Sequence, residues 1–191
     1  MDCIRDRIIL YMREKVGINP QLIPALREKY LREYGTTLAG LKRDFEIDKQ
    51  DYLDFVHDID LNLFLKKEQA LIQLLSDFNQ RKVIFTNANL VHAERVLDYL
   101  EIKENFEKII DIQSTHPHLK PQPDAFNKLL EILDYESWDG CLFIDDQLLN
   151  VTTARNIGLQ SILVDENLKS DFRPIIKHIY ALKEFMENKP R

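Results

Sequence analysis

Asp145 and Asp146 close the apolar run Gly140–Asp145 and precede an amphipathic stretch that begins near Leu148. Adjacent carboxylates at the end of an apolar run repel one another unless a cation lies between them, and no Lys or Arg follows them closely. Two readings stand. The pair holds a divalent cation, for which magnesium is the economical choice, or one aspartate caps the helix that starts near Leu148. Asn150, about one helical turn on, is placed to steady the carboxylates and favours the metal reading. Thr86 and Asn87 follow Val83–Phe85 and bring a hydroxyl, a side-chain amide and backbone donors to a strand end, where a phosphate oxygen can be held. A Thr-Asn pair also ends strands with no further role. Lys120 stands in a segment stiffened by Pro121 and Pro123, the latter suited to a first helical turn. A lysine on a stiff loop can offset charge on an anionic intermediate, and it can equally be an ordinary solvated lysine. His116 and His118 lack a third His or Cys at metal-ligand spacing and read as loop residues.

The elements that must position these residues follow from hydrophobic periodicity. Ile4, Ile8, Tyr11, Met12 and Val16, and then Leu22, Ile23, Leu26, Tyr30 and Tyr34, recur at helical spacing, with Gly17, Pro20 and Gly35 between and after them. Short helices fit Leu38–Phe45 and Lys49–Val56, the second with Asp48 as N-cap. Near Leu65–Glu68 the texture changes to amphipathic helices alternating with short β-branched runs, the pattern of a parallel sheet with crossover helices. The expected order is helix 67–79, strand 82–86, helix 90–100, strand 108–112, helix 123–133, strand 140–145, helix 148–156, strand 160–164 and a last helix 172–187. The expected domains are thus a helical block, 1–66, and an α/β core, 67–191. Open α/β sheets bind ligands at the carboxyl ends of their strands. Thr86-Asn87, the loop with Lys120, Asp145-Asp146 and Asp165-Glu166 all fall there.

Composition bounds the partners. The 191 residues carry a formal net charge of -6 with 45% hydrophobic and 30% charged residues, and no Lys/Arg-dominated block offers a footprint for a nucleic acid. Nothing approaches a membrane span of roughly 18 apolar residues. The start mixes acidic and basic residues, unlike a secretory leader. A cytoplasmic protein with a small, metal-associated anionic ligand is the expectation. Cys3 and Cys141 are without C-x-x-C spacing and read as reduced packing residues.

Taken in order, Ile84–Ala88 (I-F-T-N-A), Lys120–Pro123 (K-P-Q-P) and Phe143–Val151 (F-I-D-D-x-x-x-N-V) resemble the second, third and fourth motifs of the haloacid dehalogenase (HAD) superfamily. The segment Tyr34–Leu41, together with His57-Asp58 and the Leu-rich stretch after them, resembles the cap of the pyrimidine 5'-nucleotidase-like branch. That resemblance implies a HAD-like Rossmannoid parallel core with an all-helical cap, and a magnesium-dependent phosphomonoesterase acting on a small phosphorylated substrate such as a nucleoside monophosphate. By resemblance, Thr86, Asn87 and Lys120 hold the phosphate, Lys120 neutralises charge, Asp146 with Asp145 binds Mg2+, and Asn150 supports them. The superfamily's nucleophile lies in a D-x-D-x-T motif at the end of a central first strand. No such motif occurs here: Asp58-Ile-Asp60 is followed by Leu-Asn and follows no apolar strand. The expectation is a truncated reading of a longer enzyme, with the 191-residue chain inactive alone. The alternative is a catalytically dead phosphate- and magnesium-binding regulatory module.

Overall fold

The computed structural model describes residues 3–188, with side chains from residue 4 onward; the packing role expected of Cys3 lies outside the described side chains. The chain forms two compact units, Met1–Lys66 with Val91–Leu100, and Lys67–Leu90 with Glu101–Arg191.

The first unit is built from α1 (Cys3–Glu14), α2 (Ile23–Tyr34), α3 (Thr37–Phe45) and α4 (Lys49–His57). Helical spacing places Tyr11 and Met12 on one face of α1, and both are buried with Tyr52, Leu53 and Val56 of α4. The Tyr11 ring meets Tyr52 and Phe55 edge-on at 5.0 and 5.3 Å, and its hydroxyl donates to Asp51 at 2.8 Å. Caps fix the ends: α2 stops at Gly35 in the left-handed region (φ 76°), Thr36 Oγ1 accepts from Ala39 N, and Asp48 accepts from Asp51 N as expected of an N-cap.

In the second unit, α5 (Gln69–Asp77) precedes β1 (Val83–Phe85), which pairs in parallel with β2 (Lys108–Ile110). Between them runs α6 (Leu90–Tyr99). Sequence periodicity alone placed α6 with the α/β part, yet Val91–Leu100 groups with the helical unit. The physical reason is its side chains: the His92 ring stacks on His57 at 4.1 Å, the Arg95 guanidinium donates to the His57 and Ile59 carbonyls, and Tyr99 donates to the Leu65 carbonyl. After β2 come α7 (Pro123–Ile132), β3 (Leu142–Asp145), α8 (Leu148–Asn156) and β4 (Gln160–Val164). The expected C-terminal helix over 172–187 is instead β5 (Ile175–Ile176), a 3₁₀ turn and a shorter α9 (Leu182–Glu187). Pro174 and the two β-branched isoleucines favour extended backbone, and β5 adds to β4 in parallel with Leu163 opposite Ile175.

The strands form two sheets, β1-β2 and β3-β4-β5. Alternation along β3 sends its side chains to opposite faces. Phe143 packs with Phe85 and Cys141 on Phe126, Ala154 and Leu159. Leu142 and Ile144 pack on the other side with Phe78, Ile162, Ile176 and Leu182. The Phe126 ring of α7 meets Phe85 of β1 at 5.4 Å and Phe143 of β3 at 5.3 Å, both edge-to-face, and so joins the two sheets.

Candidate active site at the strand ends

The lysine decides the geometry. Lys120 is 7% exposed, and its ammonium donates to Asp145 Oδ2 at 2.7 Å and to the Phe85 carbonyl at 2.8 Å. It lies 4.9 and 5.4 Å from the Phe85 and Phe143 ring centroids. Thr86 N donates to Ile110 O and Glu107 N to Lys82 O, so the even-numbered residues of β1 turn their peptide groups to β2. By alternation the Phe85 carbonyl points from the opposite edge. The ammonium therefore bridges the edge of β1 away from β2 to the end of β3. A solvated surface lysine, the bland reading open from sequence, does not describe it.

Asn87 holds the backbone of that lysine. Its Nδ2 donates to Lys120 O at 2.9 Å and its Oδ1 accepts from Lys120 N at 3.1 Å. Both ends of the amide are thus engaged by the loop. Thr86 Oγ1 accepts from Ala88 N at 3.0 Å, which turns the chain sharply at the strand end.

The acidic pair divides. Asp145, with a side chain 8% exposed, accepts Gln147 N at 2.8 Å and Asn150 Nδ2 at 2.9 Å on Oδ1, with Lys120 on Oδ2. Asp146 is exposed and takes only a Gln147 amide contact at 3.1 Å. Among the described residues no group of three or more His, Cys, Asp or Glu side chains could enclose a metal. Magnesium does not need one: it accepts one or two carboxylates and completes its shell with phosphate and water oxygens. Asp146 fits that open arrangement. Asp145, with both oxygens engaged, serves Lys120 and the start of α8.

The remaining strand end turns inward on itself. Asp165 accepts from the amides of Asn167, Lys169 and Ser170 at 3.0, 3.0 and 3.3 Å, and these donors, Asn167 foremost, hold its carboxyl below the usual range. A cavity of about 680 Å³ beside that loop is lined by Leu163, Val164, Lys169 and Phe172 together with Asp146. His116 is exposed and His118 lies 3.8 Å from Asp124. Asp60 caps a 3₁₀ turn by accepting Asn62 N, and Asp58 follows α4, so neither stands at a strand end.

A family model for haloacid dehalogenase-like hydrolases matches residues 10–158. The chain belongs to that family. Among curated proteins, this HAD-like chain is similar to Phosphate metabolism protein 8 of Saccharomyces cerevisiae, 27% identical across 80% of this chain and 52% of the yeast protein. It spans about half the length of that relative. Among solved structures it is similar to a HAD phosphatase from Thermococcus onnurineus (TM-score 0.63, 16% identity, 96% of this chain and 91% of the other). It is also similar to the HAD hydrolase YfnB of Bacillus subtilis bound to magnesium (TM-score 0.57, 18% identity, 98% and 83%). These likenesses establish a HAD-like α/β fold with parallel strands and helices.

One residue beside the candidate site carries no signal that the sequence reading used. Asp111 sits inside the expected strand 108–112, but β2 ends at Ile110, and the buried Asp111 carboxylate organises the loop that follows. The available signal was an aspartate three residues before Ser114, the spacing of a side-chain turn.

Proposed function

We propose that the chain is the larger part of a magnesium-dependent phosphomonoesterase acting on a small phosphate ester, with nucleoside monophosphates as the substrate class to try first. The observation that carries the reading is the buried Lys120 ammonium, fixed between Asp145 and the end of β1 and beside the Thr86 turn. Such an ammonium offsets charge where a phosphoryl group is transferred. The helical unit would act as the cap that governs access, and residues 67–191 as the core. A bound magnesium, held by Asp146, would supply Lewis-acid polarisation of a phosphoryl oxygen.

In this reading an aspartate carboxylate attacks phosphorus, the ester oxygen leaves as the alcohol, and water then cleaves the aspartyl phosphate to inorganic phosphate and the free carboxylate. That nucleophile is proposed to come from a strand of a longer cytoplasmic protein, inserted along the edge from which the Phe85 carbonyl projects. The test is the coding sequence upstream of Met1 together with the protein it encodes. An in-frame apolar run ending in D-x-D-x-T, and hydrolysis of p-nitrophenyl phosphate and nucleoside monophosphates by the longer protein, are expected. No such frame, or a longer protein without phosphatase activity, overturns the reading.

A second reading is a regulatory module that binds phosphate and magnesium without turnover. The engagement of both Asp145 oxygens favours it, since Asp146 is then the only open carboxylate of the pair. Magnesium-dependent phosphate binding by a chain whose gene carries no nucleophile motif would decide for it.

A further inference from the structure

Asp111 is 5% exposed, and neither of its oxygens is spare. Oδ2 accepts Leu90 N at 3.0 Å. Oδ1 accepts Gln113 N at 3.2 Å, Ser114 N at 2.9 Å and Ser114 Oγ at 2.7 Å. One carboxylate therefore gathers donors from both loops that build the site: residues 86–90 after β1 and residues 111–120 after β2. Ile112 N adds a bond to Ala88 O at 3.1 Å beside it. Further along, the second loop is folded on itself by Thr115 Oγ1 to His118 O at 3.0 Å and Leu119 N to Gln122 Oε1 at 3.1 Å. At its far end the Asn87 amide grips Lys120. The two loops are thus joined at root and tip.

We propose that Asp111 is a positioning residue that sets the register of the Thr86–Asn87 turn against Lys120 and so fixes the geometry of the anion site. The proposal rests on the phosphoryl-site reading for its ligand, while the coupling of the loops stands on the hydrogen bonds alone. Asp111→Asn separates the two functions of the carboxylate. Its amide oxygen keeps the side with three donors, which leaves an NH2 facing the Leu90 N–H, donor against donor. The turn at Gln113-Ser114 survives and the tie to Leu90 is cut. Leu90→Pro cuts the same tie from the other side: Leu90 is the first residue of α6, where proline is tolerated. Ser114→Ala is the control, since it removes only the two bonds of the Ser114 hydroxyl within the turn, to Asp111 Oδ1 and from Asp111 N, and leaves Leu90 bound.

The experiment records backbone amide spectra of the 191-residue chain and its variants, with a titration of inorganic phosphate in magnesium chloride. Asp111→Asn and Leu90→Pro are expected to move the amide signals of Thr86, Asn87, Ala88 and Lys120 and to weaken phosphate binding about tenfold, or about 1.4 kcal/mol. Ser114→Ala is expected to leave those signals and the affinity within about twofold, even where it lowers thermal stability as much. The proposal is overturned if the Lys120 and Thr86 signals stay in place in both tie-cutting variants, or if Ser114→Ala moves them equally. If the unaltered chain binds no phosphate, the phosphoryl-site reading fails, and the amide signals still decide whether Asp111 couples the loops. Should Asp111→Asn not fold, Leu90→Pro answers the same question.

Discussion

Replacing Lys120 by methionine tests the centre of the site most directly. Methionine keeps much of the stem that lies against Phe85 and Phe143 and deletes the ammonium. Asp145 Oδ1 retains Gln147 N and Asn150 Nδ2, but Oδ2 is left charged and bare in a side chain 8% exposed. Removing one partner of a buried pair costs roughly 3–5 kcal/mol, and the two remaining donors on Oδ1 hold the value near the lower end. The half-buried Phe85 carbonyl loses its lysine donor, which adds up to about 1 kcal/mol. The expected loss is about 3–4 kcal/mol, or roughly 6–16 °C in melting temperature for a chain of this size. Denaturant and thermal unfolding of the single and double variants supply the assay. In Lys120→Met/Asp145→Asn the uncompensated charge is gone, so the double variant is expected to be more stable than Lys120→Met alone by at least about 1 kcal/mol. A loss below about 1 kcal/mol for Lys120→Met, the value of an exposed pair, would refute the buried bridge, and so would a double variant weaker than the sum of the singles.

Asn87→Ala removes two hydrogen bonds to the Lys120 backbone and is expected to cost about 2 kcal/mol, with faster hydrogen exchange at the Lys120 amide as its signature. In Gly40→Ala the new Cβ would stand 2.1 Å from the fully buried Tyr30 ring, whose hydroxyl is tied to Asp44 at 2.8 Å; overpacking is expected to cost at least about 1–3 kcal/mol in a melt. Burial, and then the Arg95 guanidinium, push the His92 pKa below its ordinary value. The stabilisation from neutral His92 is therefore full above the unfolded value of about 6.5 and is lost as pH falls from there toward the folded value. His92→Gln is expected to flatten the pH dependence of unfolding in that window, and an unchanged slope counts against it. Chelation is expected to weaken phosphate binding, because without a cation the Lys120, Asp145 and Asp146 charges sum to a negative site; equal affinity in EDTA and in magnesium would contradict this.

Much of the fold was legible because its signals are local. Residues 148–156 and 160–164 were read from periodicity and β-branching, and α8 and β4 have the same bounds. The strand-end rule alone gathers Thr86, Asn87, Lys120, Asp145 and Asp146. What escaped the sequence was what depends on partners distant along the chain. The pairing of β5 with β4 overrode a helical reading of 172–187, since Ile175 and Ile176 gain more from a sheet edge than from one helical turn. The helix Leu90–Tyr99 looked the same from its own pattern whichever unit it joined; its grouping depends on His92, Arg95 and Tyr99 finding His57, Ile59 and Leu65. The Phe85 carbonyl carries no sequence signal at all, because every residue has one.

The acidic pair shows why adjacency in sequence misleads about a shared task. Neighbouring residues at a strand end project to opposite sides. Asp145 turns toward Lys120, Asn150 and the Gln147 amide at the start of α8, where three donor groups stabilise its charge in a nearly dry position; Asp146 turns to solvent. The two carboxylates then do different physical work. Asp145 holds the ammonium at a fixed place, and without that counter-charge the little-exposed lysine would be a buried, unpaired charge. Among the described residues Asp146 takes only the Gln147 amide contact, which leaves it open to a hard cation. A motif that reads as one metal-binding pair is, in three dimensions, one anchor and one open carboxylate, and the anchor is linked to the far loop through Lys120 and the Asn87 amide that holds it.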